Sequence, residues 1–114
     1  MAELTAIPVP VHDPPPLSKD ERGVILVGET RVTFDAVITE YLNGATADDI
    51  AQDFPAISLA DVHGTIAYYL RHREDLDRYL DERRQQAAAA ERRSREAQTE
   101  DLRTRLEDRL SFPL

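Results

Sequence analysis

Apolar residues recur at intervals of three and four from residue 34 onward, which is the spacing of amphipathic helices. Helix one is predicted to begin after the capping residue Thr33 and to end at Gly44. Helix two follows Thr46, whose pairing with Asp49 resembles a capping box, and Pro55 ends it. The apolar positions are Phe34, Val37, Ile38, Tyr41 and Leu42 in helix one, and Ile50, Ala51 and Phe54 in helix two.

Helix three is predicted to be long. Ser58 and Asp61 repeat the capping pattern, and apolar residues then alternate at spacings of three and four with Arg73 as the one polar interruption. The helix should run to about Gln86, and a seam of this length indicates a partner helix. Its apolar positions are Leu59, Val62, Ile66, Tyr69, Leu76 and Leu80.

The N-terminal third has strand and turn chemistry. Residues 1–20 are rich in proline, which lacks the N–H that a helix or a central strand needs, so this segment should be extended or form an edge strand. Residues 24–27 form a short β-branched run, Gly28-Glu29 offers a turn, and residues 31–33 resume strand chemistry. These features predict a hairpin over residues 23–34.

The C-terminal segment changes in composition from Ala87 onward. It has high helix propensity, ion pairs at a spacing of four and one narrow stripe of leucines. Such a helix buries little by itself and should settle against a partner. The chain is therefore predicted to be mainly α, with an extended arm (1–21), a hairpin and helix-turn-helix domain (22–86) and a charged helical tail (87–114).

Composition narrows the class of protein. The chain of 114 residues has a net charge of −8 and no cysteine, which excludes disulfides and thiolate metal sites and fits a reducing compartment. The N-terminal residues lack the basic start of a secretory signal, and no run of apolar residues could cross a membrane. A cytoplasmic protein without membrane contact is expected.

The helix-turn-helix pattern is short of cations. No lysine or arginine lies between Arg31 and Arg71, whereas six acids do. Neutralisation of phosphates supplies most non-specific affinity for DNA, so this segment is poorly suited to bind a duplex alone. A helix-turn-helix can equally serve dimerisation or protein binding. If DNA is bound, the residues available are Lys19, Arg22, Arg31, Ser58 and His63.

No catalytic or metal site is expected. His63 and His72 are nine residues apart, which places them on opposite faces of one helix, and His12 lies in the arm. Ser58 is interpreted as a cap, and neighbouring acids as solvated helix charges. No glycine-rich phosphate loop occurs. The chain is therefore not expected to be an enzyme or to need a cofactor.

A two-fold dimer is predicted. A lone hairpin is marginally stable, its edge is exposed, and the seam of helix three lacks a partner. Either the hairpins or the third helices should form the interface. The residues assigned to it are Val24, Leu26, Ile66, Tyr69, Leu76 and Leu80.

An ordered series of short motifs in residues 22–84 resembles a small prokaryotic family, domain of unknown function 433, whose members are regarded as VapB-type antitoxins. The glutamate before the Thr-Arg-Val segment departs from the glycine that is common there, so the hairpin turn is less well supported. The motifs are Glu29-Thr30-Arg31-Val32, Gly44, Asp49-Ile50-Ala51, Pro55-Ala56-Ile57-Ser58-Leu59 and Tyr68-Tyr69-Leu70.

The resemblance implies an antitoxin that dimerises and binds and silences a PIN-like ribonuclease toxin. It also admits repression of the shared promoter, mainly in complex with the toxin. Because such nucleases gather carboxylates, an arginine from a segment that docks along a groove could reach them. The alternative is a helix-turn-helix transcriptional regulator without a toxin. The residues assigned to toxin binding are Leu102, Arg103, Arg105, Leu106, Arg109 and Leu110.

Overall fold

A computed structural model describes residues 12–110, so the arm residues 1–11 and the last four residues of the predicted tail lie outside the described residues. The fold is mainly helical (68%), with an N-terminal antiparallel hairpin followed by four helices, the last of them long, which confirms the predicted fold class. The elements are β1 (Leu17–Lys19), β2 (Ile25–Val27), α1 (Phe34–Leu42), α2 (Ala47–Asp53), α3 (Leu59–Arg71) and α4 (Arg73–Leu110).

The hairpin lies earlier in the chain than predicted. Leu17 pairs with Val27 and Lys19 with Ile25, so β1 comes from the proline-rich arm. The Asp20 carboxylate shapes the turn by accepting the N–H groups of residues 22 and 24. After β2 the chain does reverse around Gly28, but Thr33 makes only an isolated bridge, because it already caps α1. The predicted strand over residues 31–33 is therefore corrected.

The predicted starts of the first three helices are confirmed. The hydroxyl of Thr33 accepts the Ala36 N–H, and that of Ser58 caps α3 in the same way. Thr46 and Asp49 form the complete capping box. Gly44 follows α1 with a φ of +97°, a conformation that side chains with a Cβ rarely adopt, which explains the stop after residue 42.

The predicted helix from Ser58 to Gln86 is interrupted at His72. The backbone of His72 leaves helical geometry (φ −127°, ψ 36°), and its N–H donates to the carbonyls of Tyr68 and Tyr69. The charges around the break suit two helix ends, because Arg71 lies in the last turn of α3 whereas Glu74 begins the acidic first turn of α4. The expectation of one continuous helix is corrected accordingly.

Two compact units result, with their boundary between Arg73 and Glu74. In the first unit, a buried aliphatic cluster joins the hairpin to α1, α2 and α3. Phe34 and Tyr41 pack against the ring of Tyr69, with centroids 6.3 and 6.5 Å away. The aliphatic cluster consists of Val27, Val37, Ile50, Ile57 and Val62.

The second unit consists of most of α4. Its 38-residue helix passes through Ala87 without a break, so the change in composition there is not a helix boundary. Leu76 and Leu80 are its buried side chains, and every residue from 90 to 110 is exposed. The described part of the tail therefore has no core of its own.

Replacing Thr46 with alanine should lower the free energy of unfolding by about 1 kcal/mol, because α2 loses the hydroxyl that accepts the Asp49 N–H at 3.1 Å. Urea denaturation measures the loss. Thr39→Ala is the matched control, since Thr39 is exposed within α1 and should change stability by less than about 0.5 kcal/mol. Equal losses in the two variants would contradict the cap.

Candidate functional site

Helix α3 is the element that a DNA-binding helix-turn-helix would present, and its environment decides what it can bind. One of its faces belongs to the core. Val62 and Tyr69 are buried, and the buried hydroxyl of Thr65 donates to the Asp61 carbonyl at 2.7 Å, so it needs no other partner. This face fixes the orientation of the helix.

A second face of α3 lies against the proline segment (residues 13–16). A Cβ on Gly64 would lie 3.0 Å from two ring carbons of Pro16, so the helix has a glycine where the segment passes. The Pro16 carbonyl accepts the Gly28 N–H at 2.6 Å, which ties this segment to the hairpin. An open groove of about 640 Å³ remains between the prolines and the small side chains of Ala60 and Ala67.

Sequence reasoning missed this cover. Apolar spacing does not predict that the proline segment lies against α3 at Gly64. The glycine itself was the available signal, because a glycine inside a helical pattern lowers helix stability and can have a packing reason. A duplex could not contact Gly64 without displacing Pro16.

The third face of α3 is open and largely apolar, and we name it the α3 stripe: Leu59, His63, Ile66 and Leu70. Leu59 is 41% exposed and Leu70 is 48% exposed, although both are large apolar residues. His63 is exposed, and Ile66 is half-buried against the aliphatic cluster. At about 100° per residue these four positions share one side of the helix.

The residues predicted for DNA binding do not converge on α3. Lys19 is in β1, Arg22 is in the hairpin turn and Arg31 lies between β2 and α1. The Ser58 hydroxyl accepts the Asp61 N–H at 3.0 Å, which confirms its expected capping role. His63 alone of the five lies within the helix, so α3 offers a duplex one side chain from this set.

Negative charge gathers where α1 meets α2. Burial of the Glu40 carboxyl, a hydrogen bond with Asp53 and the charges of Asp53 and Asp49 together raise the pKa of Glu40. Hydrogen bonds from the backbone and side chain of Thr46 lower the pKa of Asp49. The negative potential that disfavours ionisation of Glu40 would also repel the phosphates of DNA.

The residues predicted for toxin binding lie on the last turns of α4. Leu102, Leu106 and Leu110 are 58%, 49% and 85% exposed and occupy one side of the helix, and we name them the α4 stripe. Arg103 and Arg109 flank the α4 stripe at about 60° on either side. Arg105 lies further round, where it pairs with Asp101 at 3.1 Å.

In this part of α4, arginines lie on the side of the α4 stripe and acids lie on the opposite side. Arg95, two turns before Leu102, also falls on the α4 stripe side and pairs with Glu91 at 3.5 Å. The four acids that follow residue 99 lie on the opposite half of the helix. The α4 stripe is therefore apolar with guanidinium groups at its edges. Those acids are Glu100, Asp101, Glu107 and Asp108.

The residues predicted for the dimer interface divide into two groups. Tyr69, Leu76 and Leu80 are buried within the single chain, so they offer little surface to a second copy. Val24, Leu26 and Ile66 are only partly buried.

Among residues 12–110, no group of three or more metal-ligating side chains could hold a metal ion. His72 is at the end of α3 with its ring centroid 4.4 Å from that of Tyr68, and His63 is on the α3 stripe. No described helix is long and apolar enough to cross a membrane.

Residues 22–69 match the model of a family described as "Protein of unknown function (DUF433)", which supports the resemblance for that segment. The matched segment runs from the hairpin turn through α1 and α2 into α3. It includes Leu59, His63 and Ile66 of the α3 stripe, ends one residue before Leu70 and excludes the α4 stripe. No curated protein and no solved structure gives a significant match to the chain.

Glu40→Gln should raise the free energy of unfolding at pH 7, by up to about 0.5 kcal/mol. Because the folded state raises the pKa of Glu40, the stabilisation from its protonated form is complete below the ordinary pKa and is lost as the pH rises through the folded value. The advantage of the variant should therefore disappear toward pH 4. Urea denaturation across this range measures it.

Asp49→Asn should change the free energy of unfolding at pH 7 in the direction opposite to Glu40→Gln. The lowered pKa of Asp49 means that its carboxylate stabilises the fold above the ordinary pKa and that this contribution fades as the pH falls. This variant should be less stable than the parent at pH 7. A parallel shift of both variants over the whole pH range would contradict the assignment.

Proposed function

We propose that this protein is the antitoxin of a type II toxin-antitoxin pair and that it binds and inhibits a PIN-like ribonuclease without catalysing a reaction. The observation that supports this most directly is the α4 stripe. Three leucines are exposed on a helix whose described residues beyond 90 bury nothing. Such a surface is typical of a segment that gains its stability from a partner.

The arginines at the edges of the α4 stripe indicate the chemistry of the partner. An apolar groove would accept Leu102 and Leu106, while carboxylates along its rim would pair with Arg103 and Arg109. Guanidinium and carboxylate groups form strong charge-assisted hydrogen bonds, often in pairs. A nuclease that gathers carboxylates for catalysis has a suitable rim, and occupying it would block the active centre.

Operator binding is a further part of the proposal and requires the toxin. The proline segment covers one face of α3, the core holds a second, and the α3 stripe contains no lysine or arginine. A complex could supply the phosphate contacts that this chain lacks. The protein would then repress its promoter together with the toxin, and it would also inhibit the nuclease activity of the toxin.

Reversal of the flanking charges tests toxin binding in the full chain. Arg103→Glu combined with Arg109→Glu should weaken inhibition of the neighbouring PIN-like nuclease at least tenfold, because each lost charge-assisted pair is worth about 1.5–3 kcal/mol. Arg93→Glu is the matched control, since Arg93 lies on the opposite side of α4. Inhibition curves with purified nuclease give the constants, and equal effects would remove the α4 stripe from the mechanism.

A chain ending at Gln86 gives an independent test. It should fail to inhibit the nuclease, because it lacks all six residues assigned to toxin binding, while circular dichroism should still report the folded first unit. Undiminished inhibition by this shorter chain would overturn the assignment of the tail.

Gel shifts at several salt concentrations test the operator. The protein alone should give no specific shift of its upstream region at cellular ionic strength, and a shift should appear when the nuclease is added. A tight specific shift by the protein alone would contradict the electrostatic argument.

A further inference from the structure

The open groove between α3 and the proline segment, which we name the α3 groove, is lined by small side chains and by rings. Ala60, Gly64 and Ala67 line it along α3. The rings of Tyr68 and His72, with centroids 4.4 Å apart, line its end nearest the C-terminus of α3. Grooves lined by aromatic rings are typical of sites that bind extended, proline-rich peptides.

The proline segment of this chain fills the α3 groove only in part. Pro16 is half-buried, and its ring lies so close to Gly64 that a Cβ there would be 3.0 Å away. Asp13, Pro14 and Pro15 also line the groove, but they are exposed, and about 640 Å³ stays open beside them. The segment therefore shows which chemistry the groove accepts, while a single seated ring holds it in place weakly.

Charge favours an acidic ligand at the C-terminal end of the groove. Arg71 is exposed there, and Asp13 of the proline segment lines the same groove. A guanidinium and a carboxylate form charge-assisted hydrogen bonds. The acid that precedes the prolines thus complements the cation at the end of α3.

The two sides of the groove also agree in length. Consecutive prolines favour polyproline II geometry, which rises about 3.1 Å per residue, so the three steps from Asp13 to Pro16 cover about 9 Å. The seven helical steps from Gly64 to Arg71 cover about 10 Å. A proline ring at Gly64 therefore brings an acid three residues earlier to the level of Arg71, when the segment runs antiparallel to α3.

We propose that the α3 groove is a docking site for a proline-rich segment of another protein, in which an acidic residue lies three positions before a proline. The proline segment of this chain acts as a weak internal competitor. Because proline fixes φ before binding, a short segment loses little conformational freedom when it docks. The groove lies wholly within the first unit, and its docking role does not rest on the proposed inhibition.

Titration of the full chain with synthetic peptides tests the site. A peptide with the sequence of residues 12–17 and blocked ends should shift the amide NMR signals of Gly64, Ala67 and Tyr68 and leave those of residues 100–110 unchanged. The same peptide with glycines in place of its three prolines should bind at least tenfold more weakly, because it loses the ring contacts and the preformed extended backbone.

Substitutions in the full chain locate the contact. Ala67→Leu should weaken binding of the proline peptide at least tenfold, because the larger side chain fills the groove. Ala97→Leu is the matched control, since Ala97 is exposed on α4, and it should leave the dissociation constant unchanged. Pro16→Ala should strengthen binding several-fold, because it removes the ring of the internal competitor from Gly64.

The charge pair is tested by a double-mutant cycle. Arg71→Gln should weaken binding of the peptide about threefold at low salt, as expected for an exposed pair. A peptide with asparagine in place of its aspartate should bind the parent and this variant equally. Equal weakening of both peptides by Arg71→Gln would contradict the antiparallel placement.

Four results would refute the docking site. The first is the absence of any shift at Gly64 and Ala67 up to millimolar peptide. The second is equal affinity for the proline and glycine peptides. The third is an unchanged dissociation constant in Ala67→Leu when circular dichroism shows that the variant is folded. The fourth is self-association, measured by sedimentation, that the peptide abolishes, because the groove would then belong to a second copy of the chain.

Discussion

The burial of one face of α3 determines how this protein can meet other molecules. Val62, Thr65 and Tyr69 hold the helix against α1 and α2, and this fixes which of its remaining sides points toward the hairpin and which toward solvent. A helix places successive side chains at about 100°, so once one face is buried the others have no freedom to rotate. Gly64 then lies beneath Pro16, and the α3 stripe remains open. Burial of this face therefore leaves α3 with two different outer faces, one against the proline segment and one exposed to solvent.

Charge distinguishes the two units of the chain. The first unit carries acids close enough together to raise the pKa of Glu40, whereas the α4 stripe has arginines along both edges. Because apolar burial supplies affinity and charge selects the partner, a cation-flanked stripe fits an acidic groove.

Local sequence signals located most of the helix ends. Thr33, Thr46 and Ser58 cap the helices that their positions predict, because a cap needs only a side chain and a backbone N–H two or three residues away. The break at His72 was missed because the apolar spacing continues through it. Its signal was the order of charges, with Arg71 before the break and Glu74 after it. The hairpin was misplaced because Gly28 offers a plausible turn, while the pairing of Leu17 with Val27 depends on residues ten apart.

The sequence by itself determined the helical class, the caps, the scarcity of cations in the helix-turn-helix and the leucine stripe of the tail, since each of these depends on residues within a few positions of one another. Only the tertiary structure decided that the proline segment covers Gly64, that Tyr69 belongs to the core of the protomer and that Leu59 and Leu70 remain exposed. Those features depend on which distant segments meet. Apolar spacing shows that a helix has a face to bury, but the packing of the other elements determines which face is buried and which is left for a partner.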